Sequence, residues 1–282
     1  MMKRFAGLMF VVGMLACAGC FENREAPYRP VTAKSMAEAS TNLVAVERLI
    51  LAGQTLPALP KELASMPKLS ILELRGAKDL ASLAGLDALK GLKTLDLANT
   101  KQSVVSAEVF ALSGLEQLYL AENDIASLPA AVNGLTSLNY LNLDFNQLAS
   151  LPPELGQLAN LRWLRLNGNK LTALPPELSK LAKLQRIYLR DNQFTAVPEC
   201  LKELSLLEDI SLSGNKVGTV PEWMTALPKL LRVDLDGCPV AKLPANLDGW
   251  KTLKVLSLVR CPIDDAEKAR IRAALPKAHI AF

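Results

Sequence analysis

At 282 residues, with 50% hydrophobic and 21% charged side chains, the chain can bury a large core and is not a disordered polymer. Its 17 prolines exclude long uninterrupted helices, and its single histidine, His279, removes the Ser-His-Asp triad, the Cys-His pair and most zinc sites. The formal charge of +4, with no run of Lys or Arg, gives no electrostatic reason to expect nucleic acid as a partner.

Lys3 and Arg4 open the chain and are followed by an apolar run from Phe5 to Ala16. That run, about a dozen residues, is shorter than the roughly 20 needed to cross a bilayer as a helix. Cys17-Ala18-Gly19-Cys20 follows, and with it this stretch resembles a bacterial lipoprotein precursor. The resemblance implies a signal peptide over 1–19 and acylation of Cys20. Phe21 in place of aspartate implies sorting to the outer membrane by the enterobacterial pattern. An ordinary secretory peptide or an uncleaved anchor is the alternative. Residues 20–34, the acylated cysteine and the polar stretch with Pro27 and Pro30, read as a tether, and 35–45 as a helix-compatible N-terminal cap.

From Val46 the chain repeats itself. Val46, Leu69, Leu92, Leu115, Leu138, Leu161, Leu184, Leu207, Leu230 and Leu253 fall in one phase of 23 residues, giving ten units over 46–263. LEQLYLAENDI from Leu115, LNYLNLDFNQL from Leu138 and LRWLRLNGNKL from Leu161 carry the LxxLxLxxNxL pattern of leucine-rich repeat proteins, and the second half of each unit has the form xxLPxxLxxLxx. The resemblance implies an α/β solenoid: a leucine-rich repeat horseshoe with a parallel concave sheet and short helical, 3-10 or irregular convex segments. The spacing has its own physical meaning, because the last two leucines of LxxLxL are two apart and share one face of a strand. The LP step, as at Pro152 and Pro175, opens the return segment. Repeats two and three, with Ala77 and Thr100 at the asparagine position and no LP step in the third, predict intact strands and irregular convex loops.

Asn123, Asn146, Asn169, Asn192 and Asn215 share one phase, and the resemblance implies that they turn inward to bond the backbone leaving each strand. Cys238 and Cys261 take this phase in the last two repeats. Adjacent rungs at about 5 Å admit either buried thiols or a disulfide; side chains held in parallel argue for thiols.

With these positions assigned, the variable strand residues remain, and they project from the concave face. Repeats four to seven place there Tyr119, then Tyr140, Asn142, Asp144 and Phe145, then Trp163, Arg165 and Asn167, then Arg186, Tyr188, Arg190 and Asp191. Tyrosine, tryptophan and arginine dominate interface energetics, since each joins a large contact area to a polar tip. As an outward residue, Arg165 is expected to matter little for stability. Asp209, Asp234 and Asp236 in repeats eight and nine read as a solvated acidic patch in preference to a calcium site, and the recurring Gly168, Gly214 and Gly237 belong to turns and not to a phosphate loop.

The stretch 264–282 closes the chain: DDAEKARIRAAL predicts a helix stopped by Pro276, and AHIAF a last strand covering the sheet edge. No nucleophile, base and orienting group come together in this pattern, so the expected function is that of a non-catalytic, monomeric, lipid-anchored envelope module. It binds a protein or peptide, requires no cofactor or metal, and reaches the membrane only through its lipid. A structural envelope protein without a ligand, and a glycan or peptidoglycan binder using its aromatic rings, are the other readings.

Overall fold

A computed structural model describes residues 29–282; the signal peptide, Cys20 and most of the tether lie outside the described residues. One parallel sheet runs the length of the unit Val31–Phe282, with its strands in chain order. They are β1 (Thr32–Ala33), β2 (Arg48–Ile50), β3 (Ile71–Glu73), β4 (Thr94–Asp96), β5 (Gln117–Tyr119), β6 (Tyr140–Asn142), β7 (Trp163–Arg165), β8 (Arg186–Tyr188), β9 (Asp209–Ser211), β10 (Arg232–Asp234), β11 (Val255–Ser257) and β12 (His279–Ala281). From β2 to β11 each residue pairs with the one 23 positions later, as Leu141 does with Leu164 and Leu164 with Ile187. The sheet does not close, and the fold is a leucine-rich repeat solenoid.

The leucines of the strands and of the return segments converge into one core between the two layers. Leu141, Leu164 and Ile187 from the sheet meet Leu155, Leu158, Leu178 and Leu181 from the convex side, all at 0–1% exposure. The LP step works as the sequence suggests: Pro60, Pro129, Pro152, Pro175, Pro198 and Pro221 each sit in extended backbone immediately before a five-residue 3-10 turn. The weak repeats keep their strands and vary on the convex side. Repeat two has a three-residue 3-10 turn at Leu86–Ala88, and repeat three has the α-helical turn α2 (Ala107–Phe110).

The asparagines form the expected ladder. Asn169 Nδ2 donates to Leu143 O of the preceding rung at 3.0 Å and to Leu166 O of its own at 3.0 Å, while its Oδ1 accepts from Leu148 N–H at 3.0 Å. Asn146, Asn192 and Asn215 repeat the set. Cys238 and Cys261 retain one bond of it, Sγ to Leu212 O and to Leu235 O at 3.2 Å each, and both are free thiols.

The N-terminal cap begins earlier than the sequence suggests. Thr32 and Ala33, assigned to the tether, form β1, because Ala33 packs into the core and Val31 O accepts from the N–H groups of Glu47 and Arg48. The following helix, α1 (Met36–Ala39), is a single turn capped by Ser35. At the other end α3 (Asp265–Ala274), capped by Asp264, stops before Pro276, and β12 pairs with β11. Glu267 and Arg270 fasten this cap, Glu267 Oε1 accepting from Leu243 N–H at 2.9 Å and Arg270 donating to Leu243 O and Pro244 O.

Both layers of this arrangement can be tested at the central repeat. Leu164→Ala should cost about 2 to 5 kcal/mol through lost burial and an unfilled cavity. Asn169→Ala should cost about 3 kcal/mol, since it strands a buried N–H and buried carbonyls. Urea titration reads both values, and a loss under about 1 kcal/mol at either position would contradict the inward assignment.

Candidate functional site

The side chains that flank the buried leucines of β5 to β8 lie in two columns on the concave face, one rung apart along the sheet. Parallel strands stand about 4.8 Å apart, so large side chains in a column must touch. They do. The Tyr119 and Tyr140 rings lie 4.9 Å apart between centroids, and Tyr140 and Trp163 5.7 Å apart, both tilted. The Arg186 guanidinium caps the Trp163 ring at 4.3 Å, and that of Arg165 lies over the Tyr188 ring at 5.2 Å. Tyr188 Oη in turn donates to Asp209 Oδ2 at 3.1 Å. Tyr119, Tyr140, Trp163, Arg165, Arg186 and Tyr188 are all half-buried by one another, which fixes their rotamers before any ligand arrives.

This mutual packing sets the electrostatics. Burial pushes the Tyr140 phenol up to about 12 and raises those of Tyr119 and Tyr188, with Asp209 adding to the effect at Tyr188. All three are neutral hydroxyls at physiological pH. Burial also lifts Asp209 above its ordinary range, against the opposing pull of the Tyr188 hydroxyl, Arg232 and Arg186. At Arg165 burial disfavours the cation, yet the Asp144 carboxylate more than offsets it and the net shift is upward.

The polar residues assigned to the patch divide into two groups. Asp144 does not project: it is 3% exposed and pairs with Arg165, Oδ2 accepting from Nε at 2.7 Å, while its Oδ1 accepts from Asn167 N–H at 2.8 Å. The chain has left the strand by residue 144 and is turning, so the alternation of faces no longer applies. Asn142 Oδ1 accepts from Asp144 N–H at 2.9 Å, and Asn167 Oδ1 from Arg190 N–H at 2.9 Å. Both amides are half-buried braces of the rim. Arg165 is therefore not the bystander its outward position suggests, because truncating it would leave a buried carboxylate without its cation. Arg190 and Asp191 are exposed and paired with each other at 3.1 Å.

Phe145 stands apart. Its ring is 57% exposed, and its φ is +56°, at the turn position where Gly168, Gly214 and Gly237 serve the same purpose. A phenylalanine in the left-handed region costs about 1 kcal/mol relative to glycine. Its ring lies against Gly168, where a Cβ would come within 2.5 Å of Phe145 Cδ1. The rim beside the aromatic column thus holds a large apolar side chain at an energetic cost and backs it with a glycine shelf.

Asp209 completes the contact chain and was missed as a member of the patch. It lies in the same column as Tyr140, Trp163 and Arg186, one repeat further on, and carrying the column into repeat eight would have found it. Asp234 accepts from Ser211 Oγ at 2.7 Å and Asp236 Oδ1 from Val259 N–H at 2.8 Å, so these carboxylates brace rungs as Asp144 does. No group of His, Cys, Asp or Glu among the described residues has the arrangement of a metal site.

The comparisons with known proteins agree with this geometry. The leucine rich repeat family model matches residues 90–148, 142–194 and 159–217. A leucine-rich repeat protein of Leptospira interrogans is 32% identical, with 85% of this chain aligned to 73% of that one at a TM-score of 0.56. An internalin of Listeria monocytogenes, 17% identical, aligns over 85% of this chain and 83% of its own at a TM-score of 0.60. The plant peptide hormone receptor RGFR1, solved in complex with RGF2, is 22% identical over 80% of this chain and 46% of its own, with a TM-score of 0.59. These last two share the fold. A comparison with curated proteins returns no match. Ten in-phase repeats, their asparagine ladder and the Leptospira relative lead to one conclusion: the chain belongs to the leucine-rich repeat family.

Proposed function

We propose that this protein is a non-catalytic binding module that recognises a protein or peptide through the concave face of repeats four to seven, and that an acylated Cys20 holds it at the outer membrane. Leucine-rich repeat proteins commonly bind protein partners. The observation that carries the assignment to this face is the continuous run of Tyr119, Tyr140, Trp163 and Arg186 beside Arg165 and Tyr188. Such residues offer rigid, amphipathic contact area whose ordering has already been met by their neighbours. Phe145 adds an exposed apolar knob at the rim. A face this closely filled is also a poor stacking platform for sugars, because the Trp163 ring is covered by Arg186. That favours a peptide, which can lay side chains between the rings. The receptor that shares the fold was likewise solved with RGF2 bound.

Affinity capture from envelope extracts tests the face. Trp163→Ala and Tyr188→Ala should each weaken binding of the captured partner by about 2 kcal/mol or more, with unfolding midpoints nearly unchanged. Thr94→Ala and Ser257→Ala, on the same face outside the patch, should shift affinity by less than about 0.5 kcal/mol. A double variant, Trp163→Ala/Tyr188→Ala, that binds as tightly as wild type refutes the concave-centre reading. Recovery of a glycan in place of a polypeptide refutes the ligand class.

Anchoring is tested separately by intact mass and fractionation of wild type and Cys20→Ala. The expected result is a mature wild-type form beginning at Cys20, carrying lipid and sedimenting with outer membranes, and a Cys20→Ala form that stays soluble. An unacylated wild type in the soluble fraction would overturn it.

A further inference from the structure

The loops that lead into the strands form a second surface, at right angles to the concave face, with a composition of its own. Backbone hydrogen bonds tie these loops into one ladder: Glu47 N–H donates to Val31 O, Ser70 N–H to Glu47 O, Lys93 N–H to Ser70 O, and the pattern continues to His279 N–H on Lys254 O. Around the inward residue of each loop, from two positions before to one after, this edge holds nine basic side chains, among them Lys68, Arg162, Lys183, Lys229 and Lys254. Against them stand three acidic ones, Glu47, Glu116 and Glu208. All nine cations are exposed, and among the described residues only Lys93, with Glu116 at 3.1 Å, and Lys251, with Asp248 at 2.5 Å, are in ion pairs. The rest of the described chain carries more acid than base, so the near-neutral total conceals a segregated charge.

We infer that this edge docks on a bilayer surface bearing anionic phosphate headgroups. A row of ammonium groups stepping along a sheet edge at about 4.8 Å per rung matches a surface studded with phosphates, and each contributes favourably close to such a surface. The choice of a bilayer over a dissolved polyanion rests on the acylation proposed above. Val31, where the tether joins the solenoid, is the first rung of the same ladder, so the chain from Cys20 departs from the basic edge. Docking edge-on leaves Tyr140, Trp163 and Tyr188 open to a partner.

The test uses the full chain carrying Cys20→Ala, which cannot be acylated, sedimented with vesicles of phosphatidylcholine alone or with about one-third phosphatidylglycerol. Binding should rise at least about tenfold with the anionic lipid and vanish at high salt. It should be lost in Lys68→Glu/Lys183→Glu/Lys229→Glu/Lys254→Glu and kept in the off-edge set Lys78→Glu/Lys170→Glu/Lys216→Glu/Lys242→Glu. Circular dichroism checks folding, and the corresponding Lys→Gln set replaces any variant that unfolds. Equal binding to both vesicles, equal loss in the two sets, or binding to dissolved polyphosphate without binding to vesicles each overturns the inference. A soluble, unacylated wild type in cells would count against Cys20 alone and leave the vesicle result standing.

Discussion

Everything in this molecule depends on a register of 23 residues that cannot slip. A leucine sheet alone would tolerate sliding, since one apolar side chain packs much like another. The buried asparagines do not tolerate it, because each amide must meet a carbonyl of its own rung, a carbonyl of the rung before and an N–H of the return segment. A shift by one residue would bury unpaired amides along the whole column. Stability is therefore cooperative between neighbours, and the two ends, where a neighbour is missing, are closed by β1 and by α3 with β12.

The same register organises the surfaces. It brings side chains from distant points of the sequence into columns at strand spacing, so Tyr119, Tyr140 and Trp163 become neighbours although 23 residues separate each from the next. Large residues in such a column are half-buried by one another and are rigid without any secondary element beneath them except a three-residue strand. The loops before the strands are brought together in the same way, and lysines scattered along the chain become a row. Concave face and basic edge are two products of one repeat, facing directions about a right angle apart.

Much of this was legible in the sequence. The repeat phase, the inward leucines, the asparagine ladder, the LP step and the closing helix and strand follow from residue types at fixed spacing, and the structure has them where the spacing puts them. What the sequence obscured has physical reasons. β1 is only two residues long, below any periodicity, and its placement depends on Ala33 finding the core. Asp144 reads as outward because alternation was carried one step past the strand, into a turn where the backbone has changed direction. The role of Arg165 as its counter-ion then follows from packing and not from pattern. The basic edge was invisible for another reason: no run of lysines exists in one dimension, and the charge gathers only when the loops are stacked.

The central claim is that a ligand sits on the aromatic column, and the three tryptophans of the chain offer a direct reading of it. Trp163 lies half-buried on the concave face, Trp223 partly buried on the convex side with Nε1 donating to Glu199, and Trp250 fully inside. In the full chain labelled with 5-fluorotryptophan, fluorine NMR resolves these positions as separate resonances while the captured partner is titrated in. The account predicts that the Trp163 resonance shifts or broadens and that those of Trp223 and Trp250 hold still. A shift at Trp223 with Trp163 unmoved would contradict it.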